Sequence, residues 1–149
     1  MDNAFTAGER AAWGGLLETF SRLSARIDED LRTRFGISHV EFEVLLRLAF
    51  AEGRRLRIQD LAAQSILTRS GMSRAVERLE RAGLVTREAA PEDRRGAYAV
   101  LTDVGLAHFE TAAEAHMAFV RSNFLELFSD TELAQMAGFW ERVRGRQTG

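Results

Sequence analysis

Ser70-Gly71-Met72-Ser73-Arg74-Ala75-Val76-Glu77-Arg78-Leu79-Glu80-Arg81-Ala82-Gly83-Leu84-Val85 is the stretch on which the fold turns. At about 100° per residue, Met72, Ala75, Val76 and Leu79 fall within one arc, and Ser70, Ser73, Arg74, Glu77, Arg78 and Arg81 take the opposite one. The spacing predicts a helix from about Thr68 to Ala82, anchored by one face and arginine-rich on the other. Gly83 stands where a left-handed residue closes a helix. Ser70, Gly71 and Ser73 keep bulk away from the first turn, where unpaired amides and the positive end of the helix dipole suit a phosphate.

The flanks fit the same reading. Upstream, Leu56-Arg57-Ile58 reads as one short strand and Gln59–Gln64 as a short helix. Downstream, Leu84–Glu88 and Ala97–Leu101 read as strands around the loop Ala90-Pro91-Glu92-Asp93-Arg94-Arg95-Gly96, which holds the only proline. A short helix, a tight turn and a polar second helix form a helix-turn-helix, whose second helix enters the major groove of a duplex. Arg74 and Arg78 are expected to reach bases or phosphates, with Thr68, Arg69, Ser70 and Ser73 at the leading end. An arginine-tipped hairpin directly after it is a wing. Arg94 and Arg95 suit the narrow minor groove, with Asp93 orienting one of them. Glu77 fits this face only if it orients Arg74, Arg78 or Arg81.

Farther out lie long helices. Thr6–Glu9, Ser38–Glu41 and Ser129–Glu132 are capping-box pairs, each just before an apolar periodic stretch. The first opens a helix over residues 7–35 with Trp13, Leu16, Leu17, Phe20, Leu23, Ile27 and Leu31 on one stripe and Gly36 as its stop. The second opens a helix ending near Gly53. Thr102 or Asp103 caps a long helix whose stripe runs from Leu106 and Phe109 to Phe124 and Leu127, and Leu133, Met136, Trp140 and Val143 mark a last one. The expected architecture is mainly α with a small β-hairpin wing, as one domain over 1–149. Its DNA-binding lobe spans 54–102. The helices of 7–35 and 103–146 carry more apolar stripe than that lobe can cover, which points to a second subunit.

Composition sharpens the division. The net charge is -2, yet residues 54–95 hold ten Arg against six acids, while both flanks are acidic. There is no lysine, so every basic contact falls to the forked guanidinium of one of 20 arginines. The absence of cysteine excludes disulfides, thiolate metal sites and thiol redox sensing. No apolar run reaches the roughly 20 residues of a membrane span, and the N-terminus lacks the pattern of a signal peptide, so a cytoplasmic location and no membrane partner are expected. No G-x-S-x-G, P-loop or H-E-x-x-H pattern occurs, and Asp28, Glu29 and Asp30 are consecutive and so diverge around a helix; an enzyme is not expected, nor a cofactor. His108 and His116, eight residues apart on one helix, sit about 80° apart, a poor chelating geometry, so no metal is expected.

Asp93-Arg94-Arg95-Gly96-Ala97-Tyr98-Ala99-Val100-Leu101-Thr102 matches D-x-R-x5-L-T, and with Ser70–Val85 it resembles the wing and recognition helix of the MarR family of winged helix-turn-helix regulators. The resemblance implies a homodimer, joined by its first and last two helices, that binds a pseudo-palindromic operator, commonly as a repressor released by a small ligand. It implies a small anionic or phenolic effector, with Trp13, His39, Arg47 and His116 as candidate lining residues; Trp13 is similar to the first-helix Trp of urate-responsive relatives. The missing cysteines argue against the peroxide-sensing variant. The alternative is a winged-helix adaptor that binds protein and no DNA.

Overall fold

The computed structural model describes residues 4–65, 71–91 and 96–146. The chain divides into two compact units, residues 1–112 and 113–149. The first unit begins with α1 (Ala7–Phe35) and α2 (His39–Phe50). Both start at complete capping boxes: the Thr6 and Ser38 side chains accept from the amides of Glu9 and Glu41, whose carboxylates accept in return from the Thr6 and Ser38 amides. α1 ends where Gly36 turns left-handed at φ 68° and its amide donates to Arg32 O.

α2 stops at Phe50, earlier than the glycine at 53 suggests, and a 3-10 turn over Glu52–Arg54 follows. Gly53 and Arg54 are both left-handed inside that turn, at φ 62° and 53°. The chain then forms β1 (Arg55–Arg57), α3 (Ile58–Gln64), α4 (Met72–Arg81), β2 (Val85–Ala89) and β3 (Ala97–Leu101). The three strands make one antiparallel sheet in the order β1-β3-β2, with Tyr98 of β3 opposite both Arg57 and Glu88. The short segment before α3 is therefore one of the two edge strands of the wing sheet.

The core of this unit is drawn from nearly every element. Leu31, Val44, Leu45, Leu48, Leu61, Met72, Val76, Leu79 and Val85 are fully buried. Each contributes about 1.5–3 kcal/mol relative to an exposed side chain. Phe42 and Phe50 both meet Phe109 of α5 (Asp103–Asn123), at ring-centroid distances of 5.6 and 6.5 Å. The start of α5 is pressed against the turn that precedes β2. A Cβ on Gly105 would lie 2.0 Å from Leu84 O, so only glycine fits there. Thr102 caps α5 by accepting from the Gly105 amide at 2.9 Å. Its amide donates to Leu84 O at 3.1 Å, and its hydroxyl proton is within reach of Gly83 O and Leu84 O.

The second unit holds the rest of α5, a 3-10 turn over Leu125–Leu127 and α6 (Asp130–Gly145). The stripe expected to run on through Phe124 and Leu127 is cut at Asn123. The Asn123 side-chain amide donates back to Phe119 O at 2.9 Å, and the Phe124 amide still bonds Val120 O at 3.0 Å, but Phe124 itself leaves the helical region at φ -142° and meets Phe128 edge-on at 5.3 Å. α6 opens at the third capping box, Ser129–Glu132, whose backbone hydrogen bond holds the Glu132 carboxyl below its ordinary pKa. No residue of α6 is buried.

Candidate nucleic-acid interface

α4 is the element around which the candidate site is built. Met72, Ala75, Val76 and Leu79 are buried, as the helical spacing predicts, so its other face turns outward with Ser73, Arg74, Glu77 and Arg81. Among the described residues Arg74 has no ion-pair partner. Ser73 faces a cleft of about 350 Å³ shared with Arg57 and Gln59 at the start of α3, Arg87 of β2, and Gly96 and Ala97 at the base of β3. Recognition helix, first helix and wing base thus surround one polar hollow with two guanidinium side chains on its wall.

The strand arginines Arg55, Arg57 and Arg87 are held by their neighbours in the sheet and α4. Arg55 lies over the Tyr98 ring at 4.0 Å and Arg57 at 5.6 Å, and Arg55 pairs with Glu88 at 3.8 Å. Arg87 is held from the other side, 3.2 Å from Glu80 and 4.0 Å from Glu77 of α4. Among the described residues Glu77 therefore pairs with a strand arginine and not with those of its own helix; Arg81 donates to the Glu77 backbone carbonyl at 3.4 Å. Arg57, Gln59 and Arg87 were not legible as a group, because β1 must pair with β3 before they share a wall.

Arg78 lies exposed on the same outward face and also has a partner inside the fold. Its Nε donates to Glu41 of α2, a residue only 5% exposed. About half of the Arg78 side chain stays open to solvent. Thr68, Arg69, Ser70, Asp93, Arg94 and Arg95 lie outside the described residues.

The four residues expected around an effector do not converge on one described pocket. Trp13 is 54% exposed on the first half of α1. His39 begins α2, its amide donating to Asp28 Oδ1 at 2.8 Å. Burial pushes the His39 pKa below its ordinary value, against the opposing pull of Asp28 and Glu43. Partial burial works against ionisation of Asp28, but hydrogen bonds from Arg32 and the His39 amide outweigh it and leave its pKa low. Arg47 donates to buried Glu43 at 3.0 and 3.2 Å, and Ser65 donates to the other Glu43 oxygen at 3.1 Å. Arg47 also lines an apolar cleft of about 430 Å³ with Leu46, Phe50, Ala51, Leu56 and Gln64, which none of the other three residues lines. His116 belongs to the second unit. Among the described residues no three His, Asp or Glu side chains cluster as metal ligands, and no helix is long and apolar enough to cross a membrane.

An anchored recognition helix, a short helix before it and a three-stranded wing after it define a winged helix-turn-helix protein. The sequence pattern of the MarR family matches residues 35–96. The structure of Sco3205 from Streptomyces coelicolor, a MarR family transcriptional regulator in complex with DNA, superposes with a TM-score of 0.87 at 33% identity, over 95% of this chain and 89% of that one. Two relatives from Bacillus subtilis each match over 97 residues, 65% of this chain. They are the HTH-type regulator YkoM at 29% identity and the HTH-type transcriptional repressor YetL at 32%. The matches span 62% and 58% of those relatives' own lengths, less than two thirds. The chain belongs to the MarR family of transcriptional regulators.

Proposed function

We propose that the protein is a homodimeric, sequence-specific DNA-binding repressor that grips a pseudo-palindromic operator in the cytoplasm. The observation that carries this reading is the outward face of α4, with Arg74 exposed and Ser73 lining a cleft with Arg57 and Arg87. In it the first turns of α4 enter the major groove, Arg74 reads a base edge, and Thr68, Arg69 and Ser70 serve the leading end. The cleft takes the intervening phosphate backbone, and Arg94 and Arg95 reach the adjacent minor groove, with Asp93 orienting them. Support also comes from Sco3205, which is described in complex with DNA, and from YetL, which is described as a repressor.

The helices of 7–35 and 103–146 form the dimer interface in this reading. Trp13, Leu17 and Phe20 in the first unit, and Phe139, Trp140 and Val143 in the second, are exposed apolar side chains for a second copy to cover. A small anionic or phenolic molecule releases the operator. Arg47, Trp13, His39 and His116 remain its candidate contacts, with Arg47 beside the apolar cleft the best placed by chemistry.

The test is recovery and sequencing of the DNA retained by the purified protein, followed by titration of that duplex across salt concentrations. Affinity should fall steeply with salt and exceed that for random sequence by at least about a thousandfold. Arg74→Ala should cost about 1–3 kcal/mol and relax preference at one base pair in each half-site. Equal affinity for random duplex, or wild-type preference in that variant, would refute the assignment.

A further inference from the structure

We infer that Arg78 is a positioning residue: its ion pair with Glu41 fixes the rotation of the recognition helix against α2, and the side chain does not hold DNA. The inference rests on the DNA-binding reading and assigns the helix arginines two different tasks.

The carboxylate of Glu41 is committed on both oxygens. Oε2 accepts from the Ser38 amide at 2.7 Å and so closes the α2 cap, while Oε1 accepts from Arg78 Nε. At 5% exposure this carboxylate has little water to turn to, and an arginine taken from it would leave a buried negative charge uncompensated. Arg32 of α1 adds a weaker electrostatic attraction to Glu41 from the third side. It is itself bound to Asp28 at 2.6 Å, and Asp28 holds the His39 amide. The end of α1, the cap of α2 and the middle of α4 therefore meet at one carboxylate.

Helix geometry turns this into control of the DNA-facing side. Arg74 and Arg78 are one turn apart, separated by about 40° around the axis and about 6 Å along it. A contact that holds Arg78 at a fixed azimuth also fixes where Arg74 points. The apolar anchor alone is a weaker constraint, since Met72, Ala75, Val76 and Leu79 are non-directional contacts, whereas the guanidinium and carboxylate accept a narrow range of angles.

The test compares Arg78→Gln, Glu41→Gln and the double variant by operator titration at several salt concentrations. Gln at 41 retains a capping-box side chain and removes only the charge. Each single variant should bind about three- to tenfold more weakly, and the double variant no more weakly than the worse single one. The slope of log affinity against log salt should equal that of the wild type in all three. A slope reduced by about one in Arg78→Gln, with Glu41→Gln at wild-type affinity, would make Arg78 a phosphate contact and overturn the inference. Unchanged affinity in both single variants would also overturn it.

A second measurement covers the case in which Arg78→Gln does not fold. In the free wild-type protein the Arg78 Nε–H resonance should exchange slowly with solvent. It should keep its shift when operator is added, and lose its protection in Glu41→Gln. Rapid exchange in the free protein, or a shift on adding operator, contradicts the pair. A wild-type chain that binds no duplex defeats the DNA-binding reading, while this resonance in the free protein still reports on the pair.

Discussion

α4 and α6 carry the same kind of apolar periodicity and meet opposite fates. Four of the ten residues of α4 are buried, and none of the sixteen of α6 is. Val76 and Leu79 find α2, α3 and the sheet within their own chain, whereas Trp140 and Val143 remain 37% and 50% exposed. The first half of α1 behaves like α6: Trp13, Leu17 and Phe20 face solvent, and burial begins only at Ile27. The lesson is that a helical stripe specifies which face is buried and leaves open what covers it.

That contrast can be broken by substitution. Leu79→Ala removes a fully packed side chain from the first core and should cost about 2–5 kcal/mol, read as a lower urea midpoint at any protein concentration. Phe20→Glu puts a charge on the α1 stripe. It should weaken subunit association by at least about 2 kcal/mol, roughly thirtyfold, with monomer visible by sedimentation. A Phe20→Glu protein with an unchanged dimer would remove the second copy from the account of these stripes. Gly105→Ala forces α5 off the Leu84 carbonyl and should cost about 1–3 kcal/mol in stability, with the weaker operator binding of a displaced wing.

The smallest effect concerns pH. His39 protonates below its ordinary value of 6.5 in the folded chain, so the unfolded chain takes up the proton first as pH falls. Its contribution to stability is complete above pH 6.5 and declines below it, toward the lower folded pKa. His39→Gln should flatten the fall in urea midpoint between about pH 7 and pH 5; an unaltered pH profile would show that the imidazole stays equally accessible in both states.

What the sequence made legible was local. The three capping boxes, the left-handed Gly36 and Gly83, and the anchored face of α4 each follow from residues within a turn or two of one another. The unread features are those made by distant partners. Glu41 and Arg78 are 37 positions apart, and each had a sufficient local explanation, one as a cap and the other as a surface arginine. Arg87 gave no signal of its bond to Glu80 until β2 folded back beside α4. The early stop of α5 falls at Phe124, whose backbone leaves the helical region although the apolar stripe continues past it.

The join at Thr102 has a mechanical consequence for the wing. The start of β2 and the end of β3 are riveted to one carbonyl, Leu84 O, with Gly105 seated against it. The hairpin therefore has a fulcrum at its root and no freedom to slide. A tilt in the first turns of α5 would be passed directly to the root of both strands.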